Sequence, residues 1–378
     1  MQNSRYLEAV IREDLREKMV FLGGPRQVGK TTVAKRLLAA SGRPPNEGYL
    51  NWDAADDRRL IMEGLLPGPP GLVVYDEIHK YSRWRNLLKG LFDKHRERYQ
   101  FLVTGSARLD YYRRGGDSLQ GRYHFHRLHP LSFAEIGGQS RDDLMALFTL
   151  GGFPEPFFSG SELKARRWSR EYRQRLVLGE LPQLERVCEI ALVERLVGRL
   201  PDLVGSPLSL NSLREDLGVS HPTIARWMEI LERLYAIFRI YPFGAPKIRA
   251  VKKEAKHYHF DWTLIKDEGL RFENMVACHL LKWCHWREDT LAEEIELRYF
   301  RDTDKREVDF VIVRDGRPIR FIESKRSESR EASPHLKYLH ARFPEVEAIQ
   351  VSLEGDYDLY TPAGIRLMSA TRFLKDLV

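Results

Sequence analysis

Apolar positions along the first third of the chain alternate between short continuous runs and helical spacing. Met19 to Leu22 form one continuous run. A glycine-containing loop follows, then Val33, Ala34, Leu37 and Leu38, which share one face of a 3.6-residue period, and Gly42 stands where a helix stop is expected. "GPPGLVVYDEIHK" reads as a breaker-rich loop and a second buried strand ending at Asp76-Glu77. "YQFLVTGSAR" reads as a third strand, ending at Thr104-Gly105-Ser106. Strands of this kind, separated by helical stretches, predict an α/β unit built on a parallel sheet.

Beyond Gly151-Gly152-Phe153-Pro154 the period changes. "ELKARRWSREYRQRLVLGEL" and "RVCEIALVERLVGRL" carry i, i+3/i+4 apolar spacing and predict a helical lid and bridge. A helix-turn-helix rhythm follows. Leu213 and Leu217 lie on a first short helix, Gly218-Val219-Ser220 make the turn, and a second helix starts near Pro222. That second helix turns Ile224, Trp227, Met228 and Leu231 inward and leaves Thr223, Arg226 and Arg233 exposed. Two strand-like runs, "YAIFRIYPF" and "KHYHFDW", flank a loop with Lys247, Arg249, Lys252, Lys253 and Lys256 against Glu254, the pattern of a basic wing. Glu229 and Glu232 on the second helix count against tight insertion into a groove. The last stretch opens on an amphipathic helix packing Leu270, Met275, Val276, Leu280 and Leu281. A hairpin, a helix, a strand and a terminal helix complete an α-β-β-α-β order. The expected divisions are 1–135, 136–205, 206–262 and 263–378.

Composition changes this picture little. The 378 residues are 43% hydrophobic and 30% charged, enough for real cores, and no apolar run approaches the length of a membrane helix. The first residues contain no leader-like apolar run, so a cytoplasmic protein is expected, with no membrane partner. Three cysteines (Cys188, Cys278 and Cys284) form no CxxC pair and predict no disulfide framework. A net charge of +7 leaves room for a polyanionic partner.

Candidate chemistry changes it more. Gly24-Pro25-Arg26-Gln27-Val28-Gly29-Lys30-Thr31-Thr32 fits the phosphate-binding loop pattern, in the strand–loop–helix context that pattern requires. Backbone N–H groups freed by the glycines can wrap a phosphate, and the helix N-terminus adds partial positive charge. Lys30 suits the β and γ oxygens of ATP, and Thr31 suits Mg²⁺. At the end of the second strand, Asp76 is placed to hold the metal shell and Glu77 to orient or deprotonate water. Ser106, after the third strand, is a candidate γ-phosphate sensor.

"GGPRQVGKTT", "YDEIHK", "VTGSARL", "LQGRYHFHRLHPLSFAE" and "GGFPEP" together resemble a large family of prokaryotic AAA+ ATP-binding proteins whose C-terminal domain is of unknown function. The resemblance runs over nearly the whole chain. It implies sensor residues, an arginine acting at a subunit boundary and a homo-oligomeric ring or partial ring, a hexamer being one form. Arg122 in "LQGRY" is the first choice for that arginine and Arg108 the second.

"EVDFVIVRDGRPIRFIESKRS" holds Asp309, Glu323 and Lys325, with Glu273 on the preceding helix. The set is similar to the PD-(D/E)xK nuclease fold. Carboxylates at Asp309 and Glu323 would bind Mg²⁺ at a scissile phosphate, and Lys325 would steady the developing charge. Strand alternation puts Glu323 and Lys325 on one face. Asp309 joins them if Arg314-Asp315-Gly316 form a three-residue loop, whereas a two-residue loop at Asp315-Gly316 puts it on the other face. Two other clusters are set aside. Cys278-His279 and Cys284-His285 are separated by roughly 240° around a helix and do not converge on zinc, and His124, His126 and His129 lie along a strand.

The expectation is thus an α/β protein: a P-loop AAA+ parallel sheet with helical lid, a winged helix and a C-terminal PD-(D/E)xK-like domain. Its expected work is ATP-dependent handling of single-stranded, duplex or branched DNA by remodelling, translocation or cutting. The rivals are a nucleotide-dependent switch whose C-terminal domain binds a protein partner, and a winged-helix transcription regulator.

Overall fold

The computed structural model describes residues 4–105, 109, 119–181, 189–244 and 254–378. Ser106, Arg108, Cys188, Lys247, Arg249, Lys252 and Lys253 lie outside them. The chain divides into two compact units, 1–130 and 131–378.

The first unit opens with α1 (Glu8–Asp14) and β1 (Met19–Gly23), followed by α2 (Lys30–Ala40) and β2 (Tyr49–Asn51). Then come α3 (Ala55–Glu63), β3 (Gly71–Asp76), α4 (Trp84–His95), β4 (Tyr99–Thr104) and β5 (Tyr123–Arg127). The strands form one all-parallel sheet in the order β2-β3-β4-β1-β5. Parallel strands need covering on both faces, hence the continuous apolar runs. One face carries Phe21, Tyr75, Phe101 and Val103, which pack with Trp84, Leu88, Leu91 and Phe92 of α4. α2 packs over β3 and β4, burying Val33, Ala34, Leu37 and Leu38, the face expected from their spacing.

The second unit begins with α5 (Arg141–Leu150), whose N-terminus is closed by a capping box between Ser140 and Asp143. α6 (Glu162–Gln174) runs into a π-helical turn at Arg175–Glu180, and α7 (Ile190–Arg199) follows. α8 (Leu210–Leu217) ends on left-handed Gly218. Ser220 then caps α9 (His221–Arg233), which buries Ile224, Trp227, Met228 and Leu231 as expected, with Ile230 in addition. β6 (Ile237–Pro242) and β7 (Lys256–His259) pair antiparallel. The long α10 (Glu268–Leu291) leads into β8 (Ile295–Arg301), β9 (Glu307–Arg314) and β10 (Arg317–Lys325). α11 (Pro334–Arg342), β11 (Glu347–Ser352), β12 (Asp358–Tyr360), β13 (Arg366–Ser369) and α12 (Ala370–Lys375) complete it.

Three features differ from the expected order, the first being that β12 and β13 stand between β11 and the terminal helix. β8 precedes the hairpin as an extra antiparallel strand, and its Tyr241↔Arg298 pairing with β6 draws β6 and β7 into one eight-stranded sheet, β12-β13-β11-β10-β9-β8-β6-β7. The wing-like hairpin and the C-terminal strands therefore share a single hydrogen-bonded sheet. α11 covers one face through Leu336 and Leu339 against Val311, Phe321 and Ala348, and α10 packs against β7, β8, β9 and β10. Cys278 and Cys284 are buried on α10, in keeping with their reading as core residues.

Candidate functional sites

The phosphate-loop segment joins the carboxyl end of β1 to α2. Gly24 has φ +130, and a Cβ there would stand 2.3 Å from the Leu128 carbonyl oxygen, so no side chain fits. Gln27 (φ +57) and Gly29 (φ +101) also take left-handed backbone, which turns successive N–H groups inward. Arg5 braces the loop from outside by donating to the Val28 carbonyl at 2.7 Å. Lys30 is buried, and its Nζ donates to the carbonyls of Gly24 (3.0 Å) and Pro25 (2.6 Å).

Asp76, at the end of β3, accepts from three hydroxyls: Thr31 at 2.9 Å, Tyr49 at 2.5 Å and Thr104 at 2.5 Å. Burial, with Asp76 next to it, pushes the Tyr49 phenol far above its ordinary value and keeps it a donor. Glu77 follows in left-handed backbone (φ +58), a costly conformation for a non-glycine residue that places it beside the phosphate loop's strand neighbour β4. Its Oε2 lies 3.3 Å from Lys80 and 3.6 Å from His79, yet accepts no hydrogen bond among the described residues. Gly105 makes room for this corner, since a Cβ there would meet His79 Nδ1 at 2.6 Å. The oxygen set of Thr31 and Asp76 beside a glycine cradle fits a Mg²⁺–nucleotide. A magnesium ion here would neutralise phosphate charge.

Arg122 stands at the opposite edge of the sheet. Its carbonyl accepts from Met19 N–H at the amino end of β1, so the length of β1, about 16 Å at ~3.3 Å per residue, separates it from the phosphate loop. Its guanidinium forms a two-pronged pair with Asp93 of α4, at 2.7 and 3.1 Å.

In the second unit, Asp315 (φ +51) and Gly316 (φ +75) make a two-residue turn, with Arg314 opposite Arg317. The expected three-residue loop is absent. Ile319 instead bulges out of β10, shifting the register so that Ile322 pairs with Phe310 and Asp309 falls opposite Glu323 on the same face. A second bulge, where β9 passes β8 at Asp309–Phe310, re-aims Asp309 further. Ser324 N–H donates to Asp309 Oδ2 at 2.8 Å, and Lys325 Nζ donates to Glu323 Oε1 at 2.7 Å. Glu273 projects from α10 and accepts from Tyr258 at 2.7 Å.

Burial, with Asp309 close by, pushes Glu273 and Glu323 each up to about 7, and burial raises Asp309 as well. The largest departure is Lys256. Expected on a solvated wing, it is wholly buried, 2.6 Å from Glu307, 3.4 Å from Glu273 and 4.0 Å from Asp309. Burial works against its charge, but these carboxylates outweigh that and hold Lys256 above the ordinary lysine range. The antiparallel β6–β7 pairing seats Lys256 opposite Ile240, within the sheet.

Sequence reading missed Arg5, Tyr49, Thr104, Tyr258 and Glu307. Thr104 alone carried a signal, its place at the end of a buried strand. His126, set aside as a metal ligand, is buried and bonded to Asp14 at 2.6 Å. Among the described residues no helix is long and apolar enough to cross a membrane.

Residues 16–137 match the model of a family described as an AAA domain. Residues 141–267 and 268–373 match two families, each described as a domain of unknown function (DUF8612 and DUF4143). An uncharacterized protein of Mycobacterium tuberculosis is 27% identical over 331 residues, covering 85% of this chain and 73% of its own length. A counterpart in Mycobacterium bovis gives the same figures. The Thermotoga maritima RuvB Holliday junction branch migration motor aligns at 17% identity and TM-score 0.30, over 61% of this chain and 87% of that one. The Aeropyrum pernix Orc1 protein, solved in complex with DNA, aligns at 14% identity and TM-score 0.34, over 73% and 94%. Neither likeness is close enough to transfer a function.

Proposed function

We propose, from the match of residues 16–137 to an AAA domain and from the phosphate-loop geometry, that this chain hydrolyses Mg²⁺–ATP and uses the cycle to handle DNA. The observation that carries the hydrolytic reading is the 2.9 Å bond from Thr31 to Asp76, beside a Glu77 oxygen that accepts no hydrogen bond among the described residues.

The geometry supports the following roles. Backbone N–H groups between Gly24 and Thr31 receive phosphate oxygens, and Lys30 exchanges its two carbonyl partners for them. Thr31 and Asp76 would hold Mg²⁺, with Tyr49 and Thr104 fixing the Asp76 carboxylate. Glu77 takes a proton from the attacking water. Its neighbours Lys80 and His79 stand 3.3 and 3.6 Å from its Oε2.

DNA as the partner is supported by the +7 charge and by α8 and α9, with Arg226 exposed. Glu229 and Glu232, expected to repel phosphates, are engaged by Arg233 and Arg239. The test is ATP turnover with and without duplex, branched and single-stranded DNA at rising salt. Stimulation that fades steeply with salt is expected, since phosphate contacts release counterions. DNA-independent turnover would favour the second reading, a nucleotide switch whose C-terminal unit binds a protein partner. The burial of Lys256 among the hairpin carboxylates favours that reading, because it removes the wing lysine and neutralises the acids at once.

A further inference from the structure

To hold a divalent ion, the carboxylates of the second unit must converge on a point open to it; Lys256 stands beside Glu307, Glu273 and Asp309, while the buried Glu323 Oε2 accepts no hydrogen bond among the described residues. Lys256 enters from β7 completely out of solvent and lies within 4.0 Å of oxygens from Glu307, Glu273 and Asp309. Tyr258, two residues along the same strand and so on the same face, donates to the Glu273 oxygen nearest Lys256. Gly205 (φ +80) closes the far side: a Cβ there would stand 3.2 Å from the other Glu273 oxygen. On the near side the Ser324 N–H occupies one Asp309 oxygen and Lys325 occupies one Glu323 oxygen.

Magnesium requires about six oxygens in near-octahedral array at ~2.0–2.1 Å. An ammonium instead asks for acceptors at hydrogen-bond distance around three donors. Two of the oxygens here, on Glu307 and Glu273, stand at hydrogen-bond distance from Lys256 Nζ, and the Asp309 oxygen stands at 4.0 Å. A divalent ion among them would also face the Lys256 charge at close range in a buried, poorly screened site. Among the described residues, no group of three or more His, Cys, Asp or Glu side chains is arranged to hold a metal ion.

We propose that Lys256 is the resident cation of this cluster, a lysine ammonium in the place a catalytic metal would take, so that the nuclease-like hairpin binds no divalent ion and cuts no phosphodiester by a metal route. This narrows DNA handling to handling without cleavage. It concerns the second unit's own residues and stands or falls apart from ATP hydrolysis.

The test is Mn²⁺ uptake by the nucleotide-free full chain, followed by electron paramagnetic resonance. Wild type and Asp309→Asn should take up Mn²⁺ alike. Lys256→Met should gain one equivalent over wild type, and that equivalent should vanish in the Lys256→Met/Asp309→Asn double variant. The proposal is overturned if wild type holds an equivalent that Asp309→Asn loses, or if folded Lys256→Met gains none. Should Lys256→Met fail to fold, the comparison of wild type with Asp309→Asn decides alone.

Discussion

Asp76 accepts three hydroxyl hydrogen bonds at once, so its carboxylate is fixed before any ligand arrives. Thr104 contributes from β4, fully buried. A hydrogen bond to a charged group contributes about 1.5–3 kcal/mol to stability, so Thr104→Val should lower Tm and, by loosening the Asp76 carboxylate, lower kcat roughly 10-fold or more. A fall of less than about twofold would remove Thr104 from the positioning role. A second residue-scale consequence lies at Glu323. Its carboxyl titrates near 4.5 when unfolded and is pushed up to about 7 when folded, by burial and Asp309. Between those values the folded chain holds a proton that the unfolded chain releases, so stability from this group falls as pH rises from about 4.5 to 7. Glu323→Gln lacks that slope. Calorimetry at pH 5 and pH 7.5 should show wild type losing Tm relative to the variant at the higher pH; a loss at the lower pH contradicts the assignment.

At the scale of elements, β1, its loop and α2 form one device. Gly24→Ala should abolish binding of a non-hydrolysable ATP analogue, because its Cβ meets the Leu128 carbonyl at 2.3 Å in backbone already unsuited to alanine; micromolar binding by a folded variant would refute this. The device was legible in the sequence because loop, strand and helix are contiguous, and the pattern fixes backbone and side chains together. The hairpin was less legible. Its face assignment depends on a single extra residue, and nothing about Ile319 marks it as a bulge in the one-dimensional pattern. Lys256 was misread for a related reason. Basic neighbours in sequence made it look solvated, while the acids that bury it, Glu273, Glu307 and Asp309, arrive from another helix and another strand. Arg5 and Tyr49 were invisible because each reaches its partner across more than twenty positions.

For the whole molecule, the parallel sheet separates two edges. Nucleotide chemistry belongs to the carboxyl edge, whereas Arg122 sits at the amino edge in an exposed pair with Asp93. An exposed pair is easily exchanged for another partner. A phosphate held at the proposed loop would lie about a strand's length from Arg122, so a catalytic role would require a neighbouring subunit. Turnover per chain should then rise with protein concentration, Arg122→Ala should depress it, and mixing that variant with Lys30→Ala subunits should restore part of it. Absence of rescue would leave Arg122 as a surface residue. The central claim is that the first unit hydrolyses ATP through Lys30, Asp76 and Glu77. Its most direct test is steady-state ATP hydrolysis, together with ATP binding, for wild type, Lys30→Ala and Glu77→Gln. Wild type should turn over ATP, Lys30→Ala should show neither tight binding nor turnover, and Glu77→Gln should bind tightly with turnover reduced at least ~100-fold. Wild-type-like turnover in either variant would contradict the claim.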